Sequence, residues 1–184
     1  MSVAIIYYSK HGATERYART LSEAVNGTLF DAKTTKLKHI ENFDVIVYGG
    51  GVYAGGIKGI EFVQKNWDKI GKKILIFAVG LTVDDPNNQE QCRNVAFDSY
   101  FNRRLRPEIM NVPMYFLPGA YDPESIRGVD RQIIKVARKM FESKGGQEQI
   151  LKYIDEGCDM VDFKKLQPLI DEIKKRAGEC DANL

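Results

Sequence analysis

The sequence predicts a doubly wound α/β protein built on a five-stranded parallel sheet. Two observations carry this expectation. Short apolar runs recur without polar alternation, as strands covered on both faces require. A segment of helical periodicity follows nearly every run, and parallel strands need such crossovers, almost always right-handed.

Val3 to Tyr8 is the first apolar run. Ala13 and Thr14 open the helix behind it, Ala18, Leu21 and Val25 recur at helical spacing, and Asn26-Gly27 is a C-terminal stop. A brief second strand covers about Thr28 to Ala32. The third, Asp44 to Gly49, precedes a helix expected to carry Ile57, Ile60, Val63 and Trp67 on one face before Gly71. Lys73 to Gly80 is the fourth; after the turn Asp84-Asp85-Pro86, a helix is expected from about Gln89 to Leu105, stopping before Pro107. Val112 to Leu117 supplies the fifth, with Pro113 tolerable near its start.

Beyond the fifth strand, Ile133, Ala137, Met140 and Phe141 make an apolar helix face opposite a basic one of Arg127, Arg131, Lys135 and Arg138, ended by Lys144-Gly145-Gly146. Asp155, Glu156, Asp159 and Asp162 read as an exposed acidic connection. The last helix buries Phe163, Leu166, Ile170, Ile173 and Ala177, with Asp162 as N-cap and Pro168 implying a kink or a later start.

At 184 residues, 43% hydrophobic and 28% charged, the chain suits one domain over 1–184 with a C-terminal decoration over about 122–178. A net charge of +2 is too small to argue for nucleic acid. Cys92, Cys158 and Cys180 lie far apart beside only two histidines, so neither a metal site nor a disulfide framework is expected. No run reaches the ~20 apolar residues of a membrane span, and Met1 leads into strand without a basic region, so a cytoplasmic protein is expected.

Ligands of such sheets bind at the carboxyl ends of the strands, where the winding reverses. The loop there, Ser9-Lys10-His11-Gly12-Ala13-Thr14, joins two hydroxyls and a glycine to a helix N-terminus. Backbone N–H groups of residues 10 to 14 can meet a phosphate, with Ser9 and Thr14 adding hydroxyls and a protonated His11 adding charge. An ordinary strand-to-helix turn with Thr14 as cap and His11 in solvent is the plain alternative. No acidic residue ends the first strand to hold Mg²⁺, no cysteine nucleophile stands in this loop, and G-x-G-x-x-G and P-loop patterns are absent from it.

Ser9, Gly12 and Thr14 match the Ser/Thr-x-x-Gly-x-Thr loop of flavodoxin-like FMN proteins, which this chain resembles along most of its length. The resemblance implies strand order 2-1-3-4-5 and a non-covalently bound FMN. It puts residues Gly50, Gly51, Val52, Tyr53, Ala54 and Gly55 on one side of the flavin ring, with Tyr53 as the stacking candidate, and Gly80, Leu81 and Thr82 on the other. Backbone amides of these two loops would tune the ring, and no catalytic side chain is demanded. Gly119-Ala120, the helix Arg131 to Met140, Gly145-Gly146 and Asp162-Phe163 are similar to the menaquinone-dependent protoporphyrinogen dehydrogenase branch.

The function implied is an FMN-dependent oxidoreductase or electron transfer protein serving a small-molecule or protein redox partner. One alternative is protoporphyrinogen dehydrogenation with a quinone acceptor; the other is a non-catalytic binding module on the same fold. Asp84 and Asp85 would repel porphyrin propionates, which Arg103, Arg104 and Arg106 could offset. The near-neutral charge tilts away from acidic electron carriers towards an enzyme. A homodimer stays open.

Overall fold

A computed structural model of the chain describes residues 2–53, 55–98 and 111–181. Strand β1 (Val3–Tyr8) pairs in parallel with β2 (Thr28–Asp31) on one side and β3 (Val45–Tyr53) on the other; β5 (Ile74–Gly80) and β6 (Met114–Pro118) continue the sheet. The order β2-β1-β3-β5-β6 is the expected 2-1-3-4-5, because the extra strand β4 (Gly56–Ile57) only folds back antiparallel on β3.

Alternate strand residues face opposite layers. Ala4, Ile6, Ile46, Tyr48, Ile74 and Ile76 bury against Ile60, Val63, Trp67 and Ile70 and against Cys92, Ala96 and Phe97 of α4 (Pro86–Asp98). Val3, Ile5, Val45, Val47, Leu75 and Phe77 pack on Tyr17, Ala18 and Leu21 of α1 (Ala13–Val25) and on Leu169, Ile170 and Ile173 of the last helix. Burying each such side chain contributes about 1.5–3 kcal/mol, so both faces are needed to hold the strands flat between helices.

Asn26 ends α1 in the left-handed conformation (φ 48°), as the stop signal predicts. The single helix expected from Ile57 to Trp67 is instead two short ones, α2 (Glu61–Lys65) and α3 (Trp67–Ile70), with Ile57 in β4. Gly59 takes a φ of 73°, which a helix forbids, and Asn66 breaks the run by turning its side-chain amide onto the Phe62 carbonyl at 2.7 Å. Helix α4 starts at Pro86, earlier than Gln89, because the Asp85 carboxylate accepts the Asn87 N–H at 2.8 Å and Pro tolerates a helix start. The remainder of that expected helix, with Arg103, Arg104 and Arg106, lies outside the described residues.

After β6 the chain turns into β7 (Ala120–Tyr121), then α5 (Gly128–Lys144), α6 (Glu148–Glu156), β8 (Cys158–Asp159), a 3-10 turn (Phe163–Leu166) and α7 (Gln167–Asp181). The expected acidic connection thus contains part of a helix and a strand, and β7 pairs antiparallel with β8. Asp162 caps the 3-10 turn by accepting the Lys164 N–H at 3.0 Å, so Pro168 marks a later helix start. Of the apolar face expected on α5, Ile133, Ala137 and Phe141 are half-buried but Met140 is 54% exposed, and Asp130 and Ile134 join that face at the sheet's carboxyl edge. Arg138 leaves the basic face to pair with Asp155 at 2.8 Å. Among the described residues no helix is long and apolar enough to cross a membrane.

Candidate functional site

A cleft opens at the carboxyl ends of β1, β3, β5 and β6. Its floor is the first helix start. Gly12 sits at the N-cap with φ 89°, a conformation that favours glycine, and no side chain caps α1. The Ser9 hydroxyl accepts the Gly12 N–H at 3.1 Å and closes the turn, and the next helical N–H groups have no capping acceptor in front of them. Ser9, Lys10, His11, Ala13 and Thr14 line the cleft, and Thr14 is buried at 4% exposure. Thr14 lies inside α1, one residue past its start, and does not cap it, whereas His11 is exposed to solvent as the plain reading of the loop expects.

The glycine run of β3 divides along the strand, the first two glycines packed and the third at the cleft. A Cβ on Gly49 would sit 2.0 Å from the Phe77 ring, and one on Gly50 would meet Ile57 at 2.5 Å, so these two glycines serve packing. A Cβ on Gly51 would meet one side chain, the Thr14 hydroxyl at an ordinary 3.7 Å, and Gly51 lines the cleft together with Val52 and Tyr53. Gly55 (φ 79°) turns β3 into β4 against Gln91 and away from the cleft, and Ala54 lies outside the described residues. Gly80 and Leu81 line the opposite side; Thr82 lines an adjoining cavity with Asp84, Asp85, Phe141 and Tyr153, which meets the cleft at Leu81.

Further lining comes from residues the sequence did not assign to the cofactor: Tyr8, Lys58, Val79, then Gly119 and Ala120 of the subfamily pattern, Tyr121, Ile126, Asp130 and Ile134. The last group builds a second wall from chain beyond the sheet. Asp130 is its charged member, 8% exposed in the first turn of α5. Its carboxylate accepts the Tyr53 hydroxyl at 2.7 Å and forms an ion pair with Lys10. Ile126, Asp130 and Ile134 stand four residues apart, so a carboxylate on an otherwise apolar helical face was the available signal.

Charge in the cleft is mainly positive. The Lys58 ammonium lies 4.5 Å from the centre of the Tyr53 ring, and Lys33 lies 5.5 Å from that of Tyr8 while donating to the Ser9 carbonyl at 3.4 Å. Burial, then the Asp130 carboxylate, push the Tyr53 phenol up to about 12, so it stays neutral. The hydrogen bonds from Lys10 and Tyr53 hold the Asp130 carboxyl below the usual carboxylate range. Burial and the neighbouring Lys10 push His11 below its ordinary value, so at neutral pH Lys10 rather than His11 brings charge to the loop. Among the described residues no His, Cys, Asp and Glu cluster could hold a metal ion.

An uncapped helix start at the winding switch of a 2-1-3-4-5 sheet is the arrangement of a mononucleotide-binding α/β protein. The chain belongs to the flavodoxin family: the Flavodoxin domain model matches residues 4–149. Membership brings FMN as the cofactor. An uncharacterized protein of Methanocaldococcus jannaschii is 34% identical over 82 residues, covering 42% of this chain and 53% of its own length, so the match spans about half of that relative. Two solved structures are similar in fold. A WrbA-like flavodoxin from Agrobacterium tumefaciens is 15% identical (62% of this chain, 82% of that one, TM-score 0.45), and the two-electron reduced Megasphaera elsdenii flavodoxin is 16% identical (62% and 82%, TM-score 0.43).

The residues present fit the phosphate end of FMN. Helical N–H groups without a capping acceptor, a buried hydroxyl at Thr14 and an ammonium at Lys10 converge on one cleft.

Proposed function

We propose that the chain is an FMN-dependent oxidoreductase, folded as one domain over 1–184, that passes electrons between small-molecule or protein partners. The uncapped N-terminus of α1, opening into a cleft walled by two ring loops, is the observation that carries this reading. FMN, when bound, supplies the chemistry by accepting and returning electrons at its ring.

The chain's own residues bind and orient. The amides of residues 13 and 14 and the Thr14 hydroxyl hold the phosphate, aided by the dipole of α1. Tyr53, its hydroxyl fixed on Asp130, sets one side of the ring site, and Gly80 and Leu81 the other. Ile126 and Ile134 keep water from the remaining side. The cavity beyond Leu81 gives a small redox partner access next to the ring.

Titration of the purified chain with FMN, followed by quenching of flavin fluorescence, tests the reading; saturable 1:1 quenching is expected, and no binding overturns it. An anaerobic substrate screen on the loaded protein then identifies the partner.

One observation favours a second, narrower reading, protoporphyrinogen dehydrogenation with a quinone acceptor. Lys165 pairs with Asp84 at 2.8 Å, which lowers the negative charge that would face porphyrin propionates. Turnover of porphyrinogen with menadione under anaerobic conditions supports it, and its absence returns the chain to the broader class.

A further inference from the structure

The cleft's one buried carboxylate faces the loop assigned above to a phosphate, and both make claims on the same cation. Asp130 is 8% exposed and has two donors, the Tyr53 hydroxyl at 2.7 Å and the Lys10 ammonium. A buried carboxylate needs its partners, because an unpaired charge in such a place is strongly unfavourable. Lys10, in contrast, is a residue of the phosphate loop with its side chain half exposed, so it can turn. The other two lysines are engaged elsewhere, Lys58 over the Tyr53 ring and Lys33 on the Ser9 carbonyl.

Resting on the FMN reading, we propose that Lys10 is a shared charge: Asp130 and the phosphate of a bound flavin mononucleotide compete for its ammonium, and Asp130 thereby sets how strongly the cleft prefers FMN to riboflavin. Asp130 is a specificity-determining residue that acts through Lys10. Drawing Lys10 towards a phosphate weakens the ion pair and brings a second anion near the carboxylate, so part of the phosphate's binding energy is offset. Riboflavin has no phosphate and leaves the pair intact.

The substitution Asp130→Asn separates charge from shape. An asparagine oxygen still accepts the Tyr53 hydroxyl, while Lys10 is released. Dissociation constants for FMN and riboflavin, measured by fluorescence quenching on the full chain, give the readout. Asp130→Asn should tighten FMN binding roughly tenfold, a 1.4 kcal/mol change, with riboflavin within about twofold of wild type. In a Lys10→Met background the same substitution should give a clearly smaller FMN gain, the non-additivity that a double-mutant cycle reads for a coupled pair. Wild-type protein offers a check that needs no Asp130 variant: exchange of one anion for another on Lys10 predicts a shallow dependence of FMN affinity on salt. An unchanged or smaller FMN-to-riboflavin preference in Asp130→Asn, or an equal gain without Lys10, overturns the proposal while the FMN reading stands. Failure of the wild type to bind either flavin overturns both.

Discussion

The Tyr17 hydroxyl accepts the Asp162 N–H at 2.8 Å across 145 residues of sequence. The same oxygen donates to the Pro118 carbonyl at 2.8 Å. One buried side chain on α1 therefore ties the end of β6 to the segment that returns from the C-terminal helices, and the Phe163 ring closes on it edge to face at 5.6 Å.

Replacing Tyr17 with Phe keeps the ring and removes both hydrogen bonds. A carbonyl and an amide are left without partners, so a loss of about 1–3 kcal/mol is expected. Urea unfolding followed by circular dichroism measures it, and an unchanged midpoint contradicts the role.

Gly49→Ala should destabilise by about 1–3 kcal/mol, because the added Cβ meets the Phe77 ring in the packed layer over α1. Thermal unfolding checks this. The folded fraction should bind FMN as wild type does, whereas Gly51→Ala, on the cleft side, should weaken binding.

Thr14→Ala removes one buried hydroxyl from the phosphate end. FMN affinity should fall roughly tenfold to a hundredfold, the worth of one hydrogen bond to a charged group, and riboflavin affinity should not change. Equal losses for both flavins would place Thr14 away from the phosphate.

Tyr53→Phe keeps the ring and frees one oxygen of Asp130, so it should change flavin affinity less than Tyr53→Ala, which deletes the ring. Paired flavin titrations decide it.

Stability should fall in acid. Asp44, Asp130, Asp155 and Asp159 all have carboxyls held below their ordinary value by hydrogen bonds or ion pairs. Between the folded pKa values and the unfolded value of about 3.9, the unfolded chain binds more protons, so unfolding free energy rises with pH there. Their contribution is complete above about pH 4 and lost as pH drops through the folded values. Chemical denaturation at a series of pH values checks the sign.

The parallel sheet was legible because strands buried on both faces write themselves as unbroken apolar runs, and the Asn26 and Gly145 stops mark their helices by local conformation alone. The loop from Ser9 to Thr14 was legible for the same reason: a helix start and its loop are neighbours in sequence. Which glycine of Gly49, Gly50 and Gly51 lines the cleft was not, since three identical residues give no sign of where the packed layer ends, and Phe77 and Ile57 decide it from other strands. The wall carrying Tyr121, Ile126 and Asp130 depends on how α5 is rotated, and a helix with apolar residues at Val129, Val136 and Met140 as well as at Ile126 and Ile134 offers two faces to bury. The structure buries the one with the carboxylate.

The chain leaves the sheet at Gly119 and is pinned back to it at Tyr17 through Asp162. The segment between these points lines the cleft through Tyr121, Ile126, Asp130 and Ile134, and its own two strands pair with each other rather than with the central sheet. Such a protein can drift in what it recognises while its sheet stays under a different selection. Exchange of residues 119–162 between relatives is the natural route to new partners on an unchanged scaffold.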